Sequence, residues 1–179
     1  MFRRIQQFIR AVTATVDAND GRFLAKHLTV AEQGLFQQMT VPDQRHALNV
    51  AYTAQQLAKK FPGLRLRLLM RAALLHDVGR TQFNLSTVDK VFAVLFSVAF
   101  PKFSQRWAKP KTPRHNFSTV ARFQHVLFVY YHHGKIGARR LQNLGVETEL
   151  IEMVAKHHQT IADNDAIEMA LLHQADQLN

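Results

Sequence analysis

Cysteine is missing from the sequence, which excludes disulfides and thiolate metal ligands, so any bound metal has to be held by imidazole and carboxylate. No secretory leader is expected either. In MFRRIQQFIRAVTATVDAND, charges interrupt the stretch where a signal peptide needs an unbroken apolar segment, and no small-residue cleavage site follows. The expected location is cytoplasmic. Internal repeats and low-complexity tracts are absent, and no stretch alternates apolar with polar residues as a half-buried strand would. Acidic residues are scarce: 13 Asp/Glu stand against 23 Lys/Arg, for a formal charge of +10. The excess lies in residues 1–114, with 18 basic and 6 acidic residues, whereas residues 115–179 hold 5 and 7. Such a field favours anionic partners: a phosphorylated small molecule, nucleic acid or an anionic membrane surface.

What is present points to one helical domain. A chain of 179 residues, 47% hydrophobic and 9% aromatic, is large enough for one sizeable core. Apolar residues recur at three- and four-residue intervals nearly throughout, so the expected fold class is all-α. Phe2, Ile5, Phe8, Ile9 and Val12 predict a first amphipathic helix ending near the turn signal Asn19-Asp20-Gly21, with a short helix around Phe23 and Leu24 after it. Thr29 and Glu32 form a capping-box pattern that starts a helix toward Met39. Thr40 to Asp43 repeats that signal, with Pro42 in the first turn of a helix reaching about Lys60. Pro62-Gly63 separates it from an apolar helix, Leu64 to Val78. The pattern then predicts a helix from Val88 to Phe100 ended by Pro101, an irregular basic link, and helices over Phe117–Tyr131, His133–Leu144 (stopped by Gly145), Glu147–His158 and Ala166–Leu178.

One constellation carries chemistry. His46, the adjacent His76 and Asp77, His133, the pair His157-His158, and Asp176 fall on different predicted helices. Neutral imidazole and ionised carboxylate bind borderline and hard divalent metals, and helices around a common core can aim such groups at one point. Adjacent helical residues are only about 100° apart, so His76 and Asp77 can both face a metal, and a carboxylate can bridge two.

The motifs RHALNVA, LLHDVGR, HHGKIGA, AKHHQT and LLHQADQL resemble those of the HD-domain metal-dependent phosphohydrolases, from about His46 to Asp176. The resemblance implies a single helical bundle with a central metal site, residues 1–40 as an N-terminal helical extension, and residues 81–131 as an apolar and basic insertion. It implies that His46, His76, Asp77 and Asp176 make a basic metal site, to which His133, His157 and His158 add ligands for a second ion; one member of the His-His pair is alternatively a group that orients another ligand. The implied cofactor is one or two divalent ions, manganese or iron, with zinc compatible. The implied reaction is hydrolysis of a phosphate ester, of a nucleotide or another phosphorylated small molecule, by metal-activated water. Asp77 would bridge and orient the attacking hydroxide. HHGKIGA is similar to the signature of the cyclic-dinucleotide-cleaving branch, but Gly134 stands where proline is usual. The Gly-Tyr-Pro motif of that branch is missing from QTIADNDA, which argues against cyclic di-GMP.

Arg80 stands where this family often carries Lys. Its planar fork suits a substrate phosphate, and a solvated helix-end arginine is an equal reading. His132 and His173 are weaker candidates, and His27, His115 and His125 have no motif context. Lys102, Arg106, Lys109, Lys111 and Arg114 surround Trp107. The plainer reading is a solvated basic loop, the sharper one a contact with an anionic membrane surface; the preceding apolar run is too short to span a bilayer. Nucleic acid ranks third, since no recognition motif accompanies the charge. Two other classes stay open: a metal-binding sensing domain without turnover, and a di-iron oxygen-dependent redox enzyme.

Overall fold

The computed structural model describes residues 15–81, 87–110, 118–162 and 165–179. The predicted helix over Phe2–Val12, together with Lys111, Arg114 and His115, lies outside them. Among the described residues there are nine α-helices and no strand. They are α1 (Ala18–His27), α2 (Val30–Gln37), α3 (Val41–Ala58), α4 (Leu66–Leu75), α5 (Thr87–Ala99), α6 (Pro101–Trp107), α7 (Thr119–Asn143), α8 (Thr148–Lys156) and α9 (Ile167–Leu178), with a short 3₁₀ turn at Val78–Thr81. No helix among the described residues is long and apolar enough to cross a membrane.

The bundle is organised around α4, whose residues Leu68 through Leu75 are all buried. A helix apolar on every side belongs at the centre of a core, and here α3, α8 and α9 surround it. The main core joins Phe36, Leu48, Leu69, Leu74, Leu150 and Leu172, all almost fully enclosed. Arg71 is the one charged residue among these buried positions; it is neutralised by Glu32 of α2, 2.9 Å from its Nε, and by Glu147. A second, smaller core of Ala93, Val126, Leu127 and Val129, with Phe96, Trp107 and Phe123 packed on it, fastens α5 and α6 to the first half of α7.

Local signals account for most boundaries. The capping box of Thr29 and Glu32 forms as expected, with the Thr29 N–H donating to Glu32 at 2.8 Å. At Thr40 the hydroxyl instead donates to Asp43, at 2.6 Å, and does not cap the backbone of α3. Gly63 (φ 88°) and Gly145 (φ 70°) take the left-handed backbone that ends α3's turn and α7.

Four expectations are corrected. Asn19-Asp20-Gly21 is the first turn of α1, because Asp17 and Asp20 cap each other's backbone N–H groups. The basic segment after Phe100 is helical up to Trp107: Pro101 occupies the first helical position, where its missing N–H costs nothing, and starts α6. The two helices expected on either side of His132 are one, the 25-residue α7, since nothing between Tyr131 and Gly134 withdraws a backbone donor. The helix expected to reach Val78 stops at Leu75, so that His76 caps it and Asp77 lies in a turn.

Candidate metal centre

The two adjacent pairs reach the centre by the same device. His76 follows the last residue of α4 and His157 the last residue of α8. At these ends the chain turns, which lets His76 and Asp77, and His157 and His158, face one point without relying on helical spacing alone. Both ends also present the negative pole of the helix dipole, which favours a cation. His46 comes from α3, His133 from the middle of α7 and Asp176 from the last turn of α9.

Three imidazoles are oriented by their own backbone. Nδ1 of His76, His133 and His157 lies 2.9, 2.9 and 2.7 Å from the carbonyl three residues earlier, those of Ala73, Tyr130 and Val154. A carbonyl only accepts, so each Nδ1 carries hydrogen and each Nε2 is left to serve as a ligand atom. All three rings are buried. Nε2 of His76 and of His157, and both oxygens of Asp77, are enclosed and receive no hydrogen bond of normal geometry. Buried polar atoms are rarely left so.

Asp77 sits between two sets of donors. Its Oδ2 is 3.4 Å from His76 Nε2 and 3.9 Å from His46 Nε2. Its Oδ1 is 3.3 Å from His133 Nε2 and 3.9 Å from His157 Nε2. One set is His46, His76 and Asp77; the other is Asp77, His133, His157 and His158; within each, the donor atoms lie within 4.8 Å of one another. Ligands about 2.1 Å from a shared ion need little adjustment to meet that span. Asp176 closes the first set: its Oδ1 accepts from His46 Nε2 at 3.0 Å and is 3.7 Å from His76. His158, half-exposed, donates from Nε2 to His133 Nε2 at 2.9 Å, and its Nδ1 is 3.9 Å from Asp176. All seven residues singled out from the sequence therefore gather in one place.

The electrostatics match a cation site. Burial pushes the Asp77 carboxyl up, but Arg80, His76 and His133 outweigh it and hold it well below the usual range. For Asp176 burial again works upward, and the His46 hydrogen bond and His76 charge hold it down. Burial opposes a charge on His76, yet the two carboxylates raise it to about 9. Burial and the neighbouring His76 and His133 push His157 far down, while burial and His133 bring His158 to about 4. A proton on His76 and the Arg80 guanidinium together offset Asp77 and Asp176, while His157 and His158 stay neutral with lone pairs to offer. Imidazole nitrogen and carboxylate oxygen in this arrangement fit a divalent ion.

The family model for the HD domain matches residues 44–179, well over half of the chain. The chain belongs to the HD-domain family. Neither a curated protein nor a solved structure matches it. HD domains bind divalent metals, and the family generally includes metal-dependent phosphohydrolases.

Arg80 of this HD domain leaves the 3₁₀ turn toward Asp77, with Nη1 2.9 Å from Oδ2 and Nη2 3.4 Å from His133 Nε2. It is a partly exposed group at the mouth of the centre. Several groups were not singled out from sequence. Asp43, one turn before His46, adds negative charge near Arg80. Arg140 of α7 donates to the Val78 carbonyl at 2.9 Å and also holds Thr81, pinning the turn that carries Asp77. Three glycines allow the elements to approach. A Cβ on Gly79 would collide with the His133 carbonyl, one on Gly134 would press on the end of α8 and the His157 ring at 3.0 to 3.3 Å, and Gly137 lies against Gly79 and Val154. Gly134, which departs from the proline of the cyclic-dinucleotide branch, is here a point of close helix packing. His173 approaches Gln177, His132 lies against Phe128 and His27 against Phe23, each outside the cluster. His125 is buried beside Phe128.

Proposed function

We propose that this HD domain hydrolyses the phosphate ester of a small molecule, with a phosphorylated metabolite or nucleotide as the substrate class and two divalent ions, manganese or iron, as cofactor. The observation that carries the reading is Asp77: a fully buried carboxylate, ion-paired with Arg80 but with neither oxygen in a hydrogen bond of normal geometry, shared between two sets of donors. His46, His76 and Asp176 would hold one ion and His133, His157 and His158 the other, with Asp77 common to both. Ions bound there supply Lewis acidity toward the phosphoryl oxygens and make water nucleophilic at neutral pH. Asp77, fully buried, would orient the attacking oxygen. Arg80, beside Asp77, would hold the phosphate oxygens with its planar fork. Its position at the mouth, where it is about 29% exposed, supports this.

The test is release of inorganic phosphate by metal-loaded protein from a panel of phosphorylated metabolites and nucleotides, beside Asp77→Ala and Arg80→Ala. Asp77→Ala is expected to lose metal and activity together while keeping its helicity. Arg80→Ala is expected to keep its metal and to show a raised KM. Full metal content with unchanged hydrolysis in a folded Asp77→Ala protein would overturn the reading. Metal-loaded wild type that turns over nothing in the panel would move the assignment to a sensing domain, and oxygen-dependent turnover of a non-phosphorylated compound to a redox enzyme.

A further inference from the structure

The α5–α6 hairpin leaves an apolar face with no partner among the described residues. Its inward residues Ala93 and Phe96 are used up in the smaller core, where Phe96 meets Phe123 edge-on and Trp107 at a tilt. The outward residues Phe92, Leu95, Val98, Phe100 and Phe103 are each more than half exposed. Phe92, Leu95 and Val98 are three residues apart and share one side of α5, and Phe100 and Phe103 continue the strip around the bend at Pro101. Five large apolar side chains together, outside the core, are a surface awaiting an occupant.

Charge identifies that occupant. Between Asp89 and Glu147 the sequence has no acidic residue and ten lysines and arginines. Lys102, Arg106 and Lys109 are exposed beside the strip and pair with no carboxylate among the described residues. A second copy docked face to face would set these cations against their own symmetry mates. A bilayer with anionic headgroups meets both requirements, taking aromatic and aliphatic side chains at the acyl boundary and holding the cations above them. We propose that this HD domain binds peripherally to anionic phospholipid membranes, with the α5–α6 hairpin as the inserted element. This attachment is independent of the chemistry at the metal centre.

The experiment is flotation of the full, metal-loaded chain with vesicles of phosphatidylcholine alone and of phosphatidylcholine containing about one third phosphatidylglycerol. Wild type is expected to float with the anionic vesicles only, and raised salt should release it. The pair Lys102→Gln and Arg106→Gln should lower partitioning about 25-fold, about fivefold for each cation. The pair Phe100→Ser and Phe103→Ser should weaken binding even at low salt, with metal content unchanged as the check on folding. Failure of wild type to float at low salt overturns the proposal, as does wild-type binding by both pairs. A solution dimer dispersed by Phe100→Ser and Phe103→Ser assigns the face to a second copy and also overturns it.

Discussion

Gly79→Ala offers a sharp test of how the centre is assembled. A Cβ at residue 79 would overlap the His133 carbonyl oxygen and stand 2.7 Å from both the His133 carbonyl carbon and the Gly137 nitrogen, where real Cβ atoms keep at least 3.0 Å. Every one of these obstacles is the backbone of α7, which cannot rotate aside as a side chain would. The 3₁₀ turn must retreat from α7 by about 1 Å, a degree of overpacking that costs about 3 kcal/mol. In a chain of this size that lowers the melting temperature by about 6–12 °C. The retreat also carries Asp77, two residues upstream, away from His133 Nε2, now 3.3 Å distant. Loss of support around a metal ligand lowers affinity about 10- to 100-fold, so metal content should fall along with stability. Gly21→Ala is the control: its Cβ meets nothing within 4 Å, and alanine in α1 should be neutral or stabilising by up to about 1 kcal/mol. Thermal melts and metal analysis of the three proteins decide the matter. Gly79→Ala melting within about 1 °C of wild type with full metal would refute the claim that backbone approach at this glycine sets Asp77.

Two further outcomes are expected. Removing metal with a chelator should lower the melting temperature by about 5–10 °C relative to protein in about 100-fold excess metal over its dissociation constant, since such occupancy is worth about 2.7 kcal/mol; Asp176→Asn should shrink that difference, and an undiminished chelator effect would show that Asp176 holds no ion. Burial and the hydrogen bond to Asp20, 2.8 Å away, raise the Tyr52 hydroxyl from 10.0 to about 12; because the folded state keeps this proton longer than the unfolded chain, the contribution is complete below pH 10 and is lost as pH rises toward 12. Tyr52→Phe should therefore cost about 1 kcal/mol at neutral pH and flatten that alkaline decline, which pH-dependent denaturation would measure.

Much of this protein is legible in the order of its residues. Apolar periodicity marks α3, α4, α8 and α9 because each must bury one face or more, and the capping residues of α2 act over a single turn. The candidate ligand types are legible too: without cysteine, only imidazole and carboxylate remain, and His46, the His76-Asp77 and His157-His158 pairs and Asp176 stand out from the sequence and all lie within the matched residues 44–179. Tertiary structure decided the rest. A turn signal such as Asn19-Asp20-Gly21 is ambiguous until Asp17 is seen to cap the helix it opens. Local sequence does not say that His76 and His157 stand at helix ends, or that α7 runs unbroken through His133. Nor does it say which apolar residues of α5 remain outside the core, because that depends on what α7 presents to them. The sharing of Asp77 between two sets of donors depends on backbones meeting at Gly79, Gly134 and Gly137, which are 55 and 58 residues apart along the chain from the first to the others. Residue type is a property of one position, whereas the distance between two ligand atoms is set by how every helix between them packs.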